Sequence, residues 1–440
     1  MRLTVHDFSG HPFQAELSRS LASAGHEVEH LHAEQYVSGK GHLEVLDGDA
    51  PGLSFAGLRL DLPFLKYSPW ARARFEWAYG KAFLQRQREH RSDVVIASNV
   101  PLISLFRFAR WARRARQPWV LWHQDVYSAG LADELRRRLP RPLAALGARV
   151  LDAMEAYCAR RAAHVVAIGD GFTQTYQRWG VADDDVSVIP NWAPLDKVVT
   201  TPRENTRSAD VFPDAQDLRL LYAGTLGRKH NPMLLVDVLR ATRERGVPAS
   251  LTVVSEGEGA DDLHAIAEAE PDLGLRVLPF QPATDLSEVL GSADVLVALL
   301  EPDATAFSIP SKVLSYMAAG RPILGLMPEG NPAAMDILAT GGHVGPPTSD
   351  GAVGAVEWLE KLSVDPASIE SIGSRARSVA EQKFDLARIT TRFATVLARA
   401  HGTVVPEPPA LPLAPEPATV RGHAHAAPRT VQESRTVQEY

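Results

Sequence analysis

The chain has 440 residues, of which 45% are hydrophobic and 22% charged, and its formal net charge is −7 at pH 7. This length accommodates two ordinary domains with extensions, and the acidic balance argues against a nucleic-acid-binding protein. The single cysteine, Cys158, excludes an internal disulfide and a cysteine-based zinc cluster.

The first 192 residues alternate short apolar runs with stretches of helical period. The predicted strands are residues 3–6, 27–32, 94–98, 119–123, 164–169 and 186–191. This alternation is typical of a parallel, doubly wound sheet, so residues 1–192 are predicted to form one Rossmann-like α/β domain. The opening MRLTVHDFSG lacks the layout of a secretory signal, and no apolar run of about 18 residues follows it, so we expect a cytoplasmic protein.

Small residues occupy the turn after the first predicted strand. In HDFSGHPFQ, Ser9 and Gly10 separate that strand from a helix, and their size permits close approach of a sugar or a pyrophosphate. His6, Asp7 and His11 lie around this turn. Because no fourth ligand follows at a recognisable spacing, we interpret them as polar groups at a strand end and expect no metal site.

A histidine ends the predicted strand WVLW in the middle of the first half. His123 is followed by Gln124 and Asp125, so we expect it at the lip of a cleft, with hydrogen-bond partners that fix its tautomer. An exposed loop histidine is the alternative interpretation.

Two stretches of the first half are rich in arginine, residues 106–119 (FRFARWARRARQPW) and 135–150 (LRRRLPRPLAALGARV). Such stretches suit the anionic face of a membrane, although solvated helix faces explain the same pattern. Residues 65–83 add further arginine and tryptophan, which favours a lipid-linked acceptor.

A second α/β half follows a polar, proline-bearing segment, residues 193–217, which we interpret as an interdomain linker. Alternation resumes over residues 218–368 and predicts a second Rossmann-like domain, with helices at 369–400. Ligands of two such sheets bind at strand carboxyl ends, so the cleft between the halves is the expected site. Residues 401–440 are rich in proline and are predicted to be disordered.

Two helix starts in the second half have the character of anion sites. In LRLLYAGTLGRKHNP, residues 218–232, a strand runs into Gly224, Gly227, Arg228 and Lys229, and small and basic residues there suit a phosphate. In SIPSKVLSYMAAGRPILG, residues 308–325, Pro310 precedes Ser311 as the predicted N-cap, and Lys312 adds positive charge. Two such sites in one sheet suggest a diphosphate.

With these motifs the chain resembles the GT-B glycosyltransferases of family 4, which read as a strand, AGxLxxxKG, a GxGxxxxxL turn, a strand and EAMAxGxPV. The corresponding elements here are AGTLGRKH, SEGEGADDL at 255–263 and SYMAAGRPILG at 315–325, in that order. The resemblance covers roughly residues 1–400. It is greatest to the exopolysaccharide and O-antigen branch, which includes colanic acid fucosyltransferases and N-acetylglucosaminyl-lipid transferases, because of HDFSGHPFQ, WHQD, IPNWAPLD and PSKVLSYMAAGRP.

The resemblance implies a retaining hexosyl- or N-acetylhexosaminyl-transferase. Its first domain would bind a polyprenyl-linked or polysaccharide acceptor, its second a nucleotide-diphosphate sugar, and its last helix would return to the first domain. The leaving phosphate itself would help to deprotonate the acceptor hydroxyl, and basic side chains would replace a metal ion, so no cofactor is expected. The enzyme would act in the cytoplasm, at the inner face of the plasma membrane.

The same resemblance, together with the residue patterns, assigns the site. His123 resembles the histidine that contacts the donor sugar, and Phe280 lies where the nucleobase is commonly held. The residues assigned to catalysis are His123, Lys229 and Arg228. Those assigned to the donor are Gly224, Thr225, Gly227, Glu256, Phe280, Ser308, Pro310, Ser311, Lys312 and Ser315. Those assigned to the acceptor and cleft are Ser9, Gly10, His11 and Asp125.

The chain also departs from the family pattern. The usual pair of glutamates, eight residues apart, would fall on Phe307 and Ser315, so neither carboxylate is present. The usual arginine after the strand-end glycine is Thr225, and the lysine stands one residue closer, at Lys229. We interpret these changes as a different way of binding the donor.

Two other functions remain open from the sequence. A nucleotide-sugar 2-epimerase of the same shape should need several cleft acids for proton abstraction, and the loss of both glutamate positions argues against it. A non-catalytic nucleotide- or glycan-binding relative would tolerate loss of Lys229 and Lys312.

Overall fold

The computed structural model describes residues 1–36, 40–65, 68–202, 206, 208–212, 217–226, 231–302 and 310–403. Within these ranges the chain forms two α/β domains, each built on one sheet of parallel strands. The tail predicted to be disordered lies outside the described residues from position 404 onward.

The first domain contains a seven-stranded sheet in the order β3-β2-β1-β4-β5-β6-β7, with every neighbouring pair parallel. Its strands are β1 (Arg2–Asp7), β2 (Glu27–Ala33), β3 (Leu53–Leu58), β4 (Val94–Ser98), β5 (Trp119–His123), β6 (His164–Ala167) and β7 (Val186–Val188). Its helices are α1 (Pro12–Ser23), α2 (Pro69–His90), α3 (Leu102–Ala115), α4 (Tyr127–Arg138), α5 (Arg141–Ala159) and α6 (Thr173–Trp179). The order reverses between β1 and β4, which makes their carboxyl ends the topological switch point of this sheet.

The second domain contains a six-stranded sheet in the order β10-β9-β8-β11-β12-β13. Its strands are β8 (Leu218–Ala223), β9 (Ala249–Val254), β10 (Leu275–Leu278), β11 (Val295–Leu299), β12 (Ile323–Leu326) and β13 (His343–Gly345). The helices from the linker onward are α7 (Ser208–Val211), α8 (Met233–Glu244), α9 (Glu258–Ala269), α10 (Leu286–Gly291), α11 (Ser311–Ala318), α12 (Pro332–Thr340), α13 (Ser349–Gly354), α14 (Val356–Val364), α15 (Pro366–Lys383) and α16 (Leu386–His401). The switch point of this sheet lies between β8 and β11, which pair directly.

The predicted fold of two doubly wound domains is confirmed. Both central sheets are covered by helices, and strands such as β4, β5 and β11 are buried along their whole length, as their continuous apolar runs require. The strand of the first domain that the sequence analysis missed is β3. Its residues, LSFAGL, are mostly half-buried or exposed at the edge of the sheet, so they lack the apolar run by which the other strands are recognised.

The last helix and the linker connect the two domains closely. On α16, Phe393 packs edge-on against Trp122 of β5 at 4.9 Å between ring centroids, so this helix completes the core of the first domain. Val198 and Phe212 of the linker are buried in the core of the second domain, although the segment was interpreted only as polar. The backbone amide of Ala193 donates to the carbonyl of Phe384 at 2.9 Å, which joins the two segments that cross between the domains.

Buried histidines make the first domain sensitive to acid. His6 of β1 and His30 of β2 are fully buried, and burial lowers the pKa of each from the ordinary 6.5 to about 3. Their nearest recorded polar partners are neutral hydroxyls, those of Tyr79 and Ser18 at 2.9 Å. A proton on either imidazole would therefore be a buried charge without a counterion at that contact.

We expect the free energy of unfolding to fall as the pH drops from about 6.5 to about 3, by about 1 kcal/mol per pH unit for each of these two histidines. The reason is that both imidazoles bind a proton in the unfolded chain and remain neutral in the folded chain over this range. Urea unfolding at pH 7 and pH 5 would measure this loss. The variant His6→Phe should lose less stability over this interval, and His264→Asn, at an exposed position, should behave as the parent chain. Identical slopes in all three proteins would contradict the explanation.

No helix among the described residues is long and apolar enough to span a bilayer.

Candidate functional site

The carboxyl ends of four neighbouring strands of the second sheet carry most of the described donor-site residues. Phe280 follows β10, Glu256 follows β9, Gly224 and Thr225 follow β8, and Pro310 to Lys312 follow β11. Because neighbouring strands lie about 4.8 Å apart, these ends span about 15 Å along one edge of the sheet. The predicted residues therefore share one edge, with α11 beginning beside the switch point.

Lys312 brings the two predicted anion sites together. Its ammonium donates a hydrogen bond to the hydroxyl of Tyr222 and lies over the Tyr222 ring, 3.9 Å from the centroid. The same Nζ would be 3.1 Å from a Cβ built on Gly224, where φ is +141°. A side chain at Gly224 would be strained and would crowd the ammonium, which accounts for glycine at this position.

Two tyrosines hold the end of β8 in place. The Tyr316 hydroxyl on α11 accepts from the Ala223 amide at 2.9 Å and donates to the Ala223 carbonyl at 3.1 Å. The Tyr222 hydroxyl donates to the Thr225 carbonyl at 3.1 Å. Burial raises the pKa of both phenols, so both stay neutral at physiological pH. Sequence reasoning missed both residues, because a tyrosine inside an apolar strand or helix has the pattern of a core residue.

The charge of Lys312 is held in a partly dehydrated position. Burial lowers its pKa from the ordinary 10.5 to about 8, and its recorded partners, a phenol hydroxyl and an aromatic face, carry no formal charge. An ammonium held without a counterion at these contacts favours the arrival of an anion.

The start of α11 differs from the prediction by one position. The helix begins at Ser311, Pro310 occupies the N-cap position, and no side chain caps the end. Ser311 is therefore not the N-cap, because the extended backbone of Pro310 already ends the preceding segment and Ser311 has entered the helix. The first turn carries no acidic residue, whereas the first turn of α9 contains Glu258 and Asp261. Of these two helix starts, α11 is the one whose charges suit an anion.

The remaining described donor residues lie at the surface of the same edge. Phe280, Glu256, Thr225 and Ser311 are exposed, and Ser315 is half-buried on α11. The Ser255 hydroxyl accepts from the Leu226 amide at 3.0 Å, which ties the ends of β8 and β9 together. Gly227, Arg228, Lys229 and Ser308 were also assigned to the site, and they lie outside the described residues.

In the first domain, a buried carboxylate organises the turn that contains Ser9 and Gly10. Asp7 accepts from the backbone amides of Ser9 at 3.2 Å and of His11, and from the Asn99 side chain at 2.9 Å. Burial raises the pKa of Asp7, against the lowering effect of these bonds. The Asp7 carboxylate therefore stabilises the conformation of this loop through its hydrogen bonds.

The close approach predicted at Gly10 is limited by another segment of the chain. A Cβ on Gly10 would lie 2.7 Å from Leu43, and its φ is +73°. The amide of Gly41 also donates to the Gly10 carbonyl at 2.8 Å. Residues 40–43 therefore cover this glycine, and His11 is the exposed member of the turn.

His123 lies inside the domain and not at the lip of a cleft. It is 3% exposed, and its partners are the Tyr176 hydroxyl at 3.0 Å and the Glu155 carboxylate at 3.1 Å, in place of the predicted Gln124 and Asp125. The strand end turns inward because the imidazole packs among Phe172, Tyr176 and Trp179.

Glu155 is the residue that links His123 to the following loop. Its carboxylate also accepts from the amides of Tyr127 at 2.9 Å and Ser128 at 2.7 Å, at the start of α4. Burial favours a higher pKa for Glu155, but the bonds from His123 and Ser128 outweigh it and lower the pKa overall. The signal for this residue in the sequence is a carboxylate on the apolar side of the LDAMEAYCARR helix, and the sequence analysis did not predict its role.

The loop after His123 reaches the surface that faces the second domain. Asp125 is exposed, and Gln124 exchanges two side-chain hydrogen bonds, at 3.0 and 3.1 Å, with Asn191 after β7. Asp125 and His11, both predicted to lie on the acceptor side, therefore follow the carboxyl ends of β5 and β1 in the first sheet.

A cavity of about 250 Å³ lies between the two domains, near the segments at Ala193 and Phe384 that cross between them. The first domain contributes Ile168 to Asp170 and Asn191, and the second contributes Pro310, Ser311 and residues of α12. On α12, Asp336 pairs with Lys383, and burial raises the pKa of Asp336, with a further increase from Asp170 across the interface. The start of α11 therefore opens onto the space between the domains.

Comparison with protein families identifies both halves. A glycosyl transferase 4-like domain matches residues 11–192, and a domain described as glycosyl transferases group 1 matches residues 217–359. Together these matches cover roughly three quarters of the chain.

Two bacterial proteins are similar in sequence. The probable glycosyltransferase WbjE of Pseudomonas aeruginosa is 24% identical over 300 residues, which is 68% of this chain and 72% of that protein. The putative colanic acid biosynthesis glycosyltransferase WcaL of Salmonella typhimurium is 24% identical over 183 residues, or 41% and 45% of the two chains.

Several solved structures share the fold. Sucrose-phosphate synthase of Thermosynechococcus elongatus superposes with a TM-score of 0.66 at 14% identity, covering 91% of this chain and 99% of that one. HepE of Anabaena, in complex with UDP and glucose, gives 0.61 at 15% identity, with 90% and 99% covered. WaaG, a glycosyltransferase involved in lipopolysaccharide biosynthesis, gives 0.61 at 17% identity, with the same coverage.

Proposed function

The chain belongs to the glycosyltransferases of the GT-B fold, and we propose that it transfers a sugar, with retention of anomeric configuration, from a nucleotide-diphosphate donor to a lipid-linked or polysaccharide acceptor in cell-surface glycan biosynthesis. The observation that carries this proposal is the convergence of Lys312, Gly224 and the start of α11 at one switch point. The names of WbjE, WcaL and WaaG support a role in surface glycans, and the UDP and glucose bound to HepE support a nucleotide sugar as donor.

The donor fits the edge of the second sheet in one direction. The diphosphate belongs between β8 and β11, where Lys312 and the start of α11, which no side chain caps, converge. The base then extends toward β10 and the exposed ring of Phe280, about 12 Å away at strand spacing. This direction leaves the sugar on the side of the cleft that the first domain faces.

The chemistry that we assign to these residues is charge stabilisation. When the bond between the sugar and the phosphate breaks, the departing diphosphate gains negative charge, and Lys312 is placed to neutralise it. Arg228 and Lys229 belong to the same role by their position in AGTLGRKH. The leaving phosphate accepts the proton of the acceptor hydroxyl on the same face, which retains the configuration. His123, buried behind the loop, acts on that loop through Glu155.

The acceptor lies on the first domain in this proposal. His11 and Asp125 are exposed at its strand ends, and Asp7 and Glu155 hold their two loops from behind. The acceptor would approach between these loops and the start of α11.

A donor panel tests the proposal. The full chain is incubated with UDP-, GDP- and ADP-sugars and a polyprenyl-diphosphate-linked acceptor, and released nucleoside diphosphate and glycosylated lipid are measured by mass spectrometry. The expected result is one donor that yields both products with a retained anomeric linkage. An isomerised donor without released diphosphate would instead show an epimerase, and binding without any conversion would show a non-catalytic relative. A ligand at 100 times its Kd raises the free energy of unfolding by about 2.7 kcal/mol, so a thermal-shift screen selects the donor first.

A further inference from the structure

The α4–α5 hairpin extends beyond the body of the first domain. Helix α5 leads down to the amino end of β6, and its Glu155 is hydrogen-bonded to His123 at the carboxyl end of β5. The part of α5 before Glu155 therefore lies beyond that contact, and from Arg141 to Glu155 it is about 20 Å long at 1.5 Å per residue. This is the side on which the second domain faces the first.

The tip of this hairpin presents an apolar ridge to solvent. Leu139, Leu143, Leu146 and Val150 are 41%, 56%, 61% and 51% exposed. The spacing of three and four places Leu143, Leu146 and Val150 on one face of α5, and Leu139 lies in the turn just before that helix. Large apolar side chains exposed in a contiguous row are unusual on a soluble surface and indicate contact with a membrane or a partner.

Arginines surround the ridge, and most of them have no acidic partner. Residues 136–150 contain five arginines and no aspartate or glutamate, in a chain with a net charge of −7. Arg136, Arg141 and Arg149 border a depression floored by Ala144, Ala145 and Ala148. Within the described part of the chain, Arg137, Arg141 and Arg149 form no ion pair, whereas Arg136 pairs with Asp133 and Arg138 pairs with Glu134.

The other arginine-rich stretch has a different structure. On α3, Phe108 is fully buried, Phe106 packs on Tyr157 and Trp111 is half-buried, so its aromatic residues face inward. Arg110, Arg113 and Arg114 are exposed there without an apolar ridge. The sequence pattern did not separate these two stretches, and the structure does.

We propose that the tip of the α4–α5 hairpin, residues 136–150, inserts its leucine ridge into the interface of an anionic lipid bilayer, with the surrounding arginines on lipid phosphates. The apolar ridge accounts for insertion, and the unpaired arginines account for the preference for anionic lipid. A second copy of the chain fits poorly, because a symmetric contact would bring together six arginines that form no ion pair in the described residues, three from each copy. The inference deepens the proposed function, since docking here would hold the cleft beside a lipid-linked acceptor.

Vesicle co-sedimentation of the full chain tests the docking surface without donor or acceptor, so its result is independent of transferase activity. The vesicles are phosphatidylcholine with about 30% phosphatidylglycerol, and pure phosphatidylcholine for comparison. The charge variant is Arg137→Gln with Arg141→Gln and Arg149→Gln. Its matched control removes the same charge from α3, as Arg110→Gln with Arg113→Gln and Arg114→Gln. The ridge variant is Leu143→Glu with Leu146→Glu, and its control is Val364→Glu, at a position 79% exposed in the second domain.

We expect the parent chain to bind the anionic vesicles and the hairpin charge variant to bind about 100-fold more weakly, at about fivefold per arginine. The ridge variant should lose at least about tenfold, and both controls should stay within about fivefold of the parent. Unchanged melting temperatures would show that the variants are folded. Three results would overturn the proposal. They are equal binding to neutral and anionic vesicles, a larger loss of binding in the α3 control than in the hairpin charge variant, and a dimer in sedimentation that the ridge substitutions dissociate.

Discussion

Lys312→Met is expected to lower kcat/KM with the nucleotide-sugar donor by about 100- to 1,000-fold, because it removes a charge aimed at the leaving diphosphate in a partly dehydrated site. Methionine keeps an apolar chain over the Tyr222 ring and removes a buried ammonium, so the fold should lose little stability. Steady-state kinetics with the donor found by the panel measures the effect.

Two controls make this result specific. Lys361→Met removes an exposed lysine from α14 that forms a surface ion pair with Glu357, and it should leave kcat/KM unchanged. In the parent chain, affinity for the nucleoside diphosphate should fall above about pH 8, as Lys312 loses its proton, by up to about tenfold per pH unit. The Lys312→Met variant should lack this decline. A variant that retains activity within about fivefold, or that keeps the alkaline decline, would remove Lys312 from the site.

Glu155→Ala is expected to lower the free energy of unfolding by about 3–5 kcal/mol, because it leaves the amides of Tyr127 and Ser128 and the ring of His123 without their buried partner. The loop that carries Asp125 should loosen as well, so kcat should fall even where the chain is folded. Urea unfolding and kinetics at a permissive temperature measure the two effects.

The isosteric variant Glu155→Gln separates shape from charge. Its amide oxygen can still accept from one backbone amide, so we expect roughly half of the stability loss and partial activity. Asp152→Asn is the matched change on the same helix, at a partly exposed carboxylate that bonds Arg178 and Trp179, and its cost should be about 1 kcal/mol. If Glu155→Ala were as stable as Asp152→Asn, the proposed role of the buried carboxylate would be wrong.

The periodicity of apolar residues and the composition of the chain were sufficient to predict most of the fold. Long apolar runs such as those of β4, β5 and β8 were recognisable because both faces of these strands are buried. The edge strand β3 was missed for the opposite reason, since half-buried strands with glycine carry a weak pattern. The linker was predicted from its polar residues. Two of its apolar residues, Val198 and Phe212, pack in the core of the second domain.

The candidate site was predictable only where function follows from local sequence. Gly224 and Lys312 stood out because strand, glycine and helix start are contiguous motifs. Their proximity, and the phenol of Tyr222 between them, depend on the pairing of β8 with β11, which no local pattern states. His123 was placed at the surface because its partners, Glu155 and Tyr176, are 32 and 53 residues away in sequence.

The hydrogen bond between Ala193 and Phe384 bears on how the molecule can open. The chain enters the second lobe at one of these residues and leaves it at the other, so the lobe is an insertion with both its attachments at a single point. We expect a lobe attached in this way to rotate about that point as a hinge. The gap should therefore vary least beside Asp336 and Lys383, and most at the far rim where the nucleobase would enter.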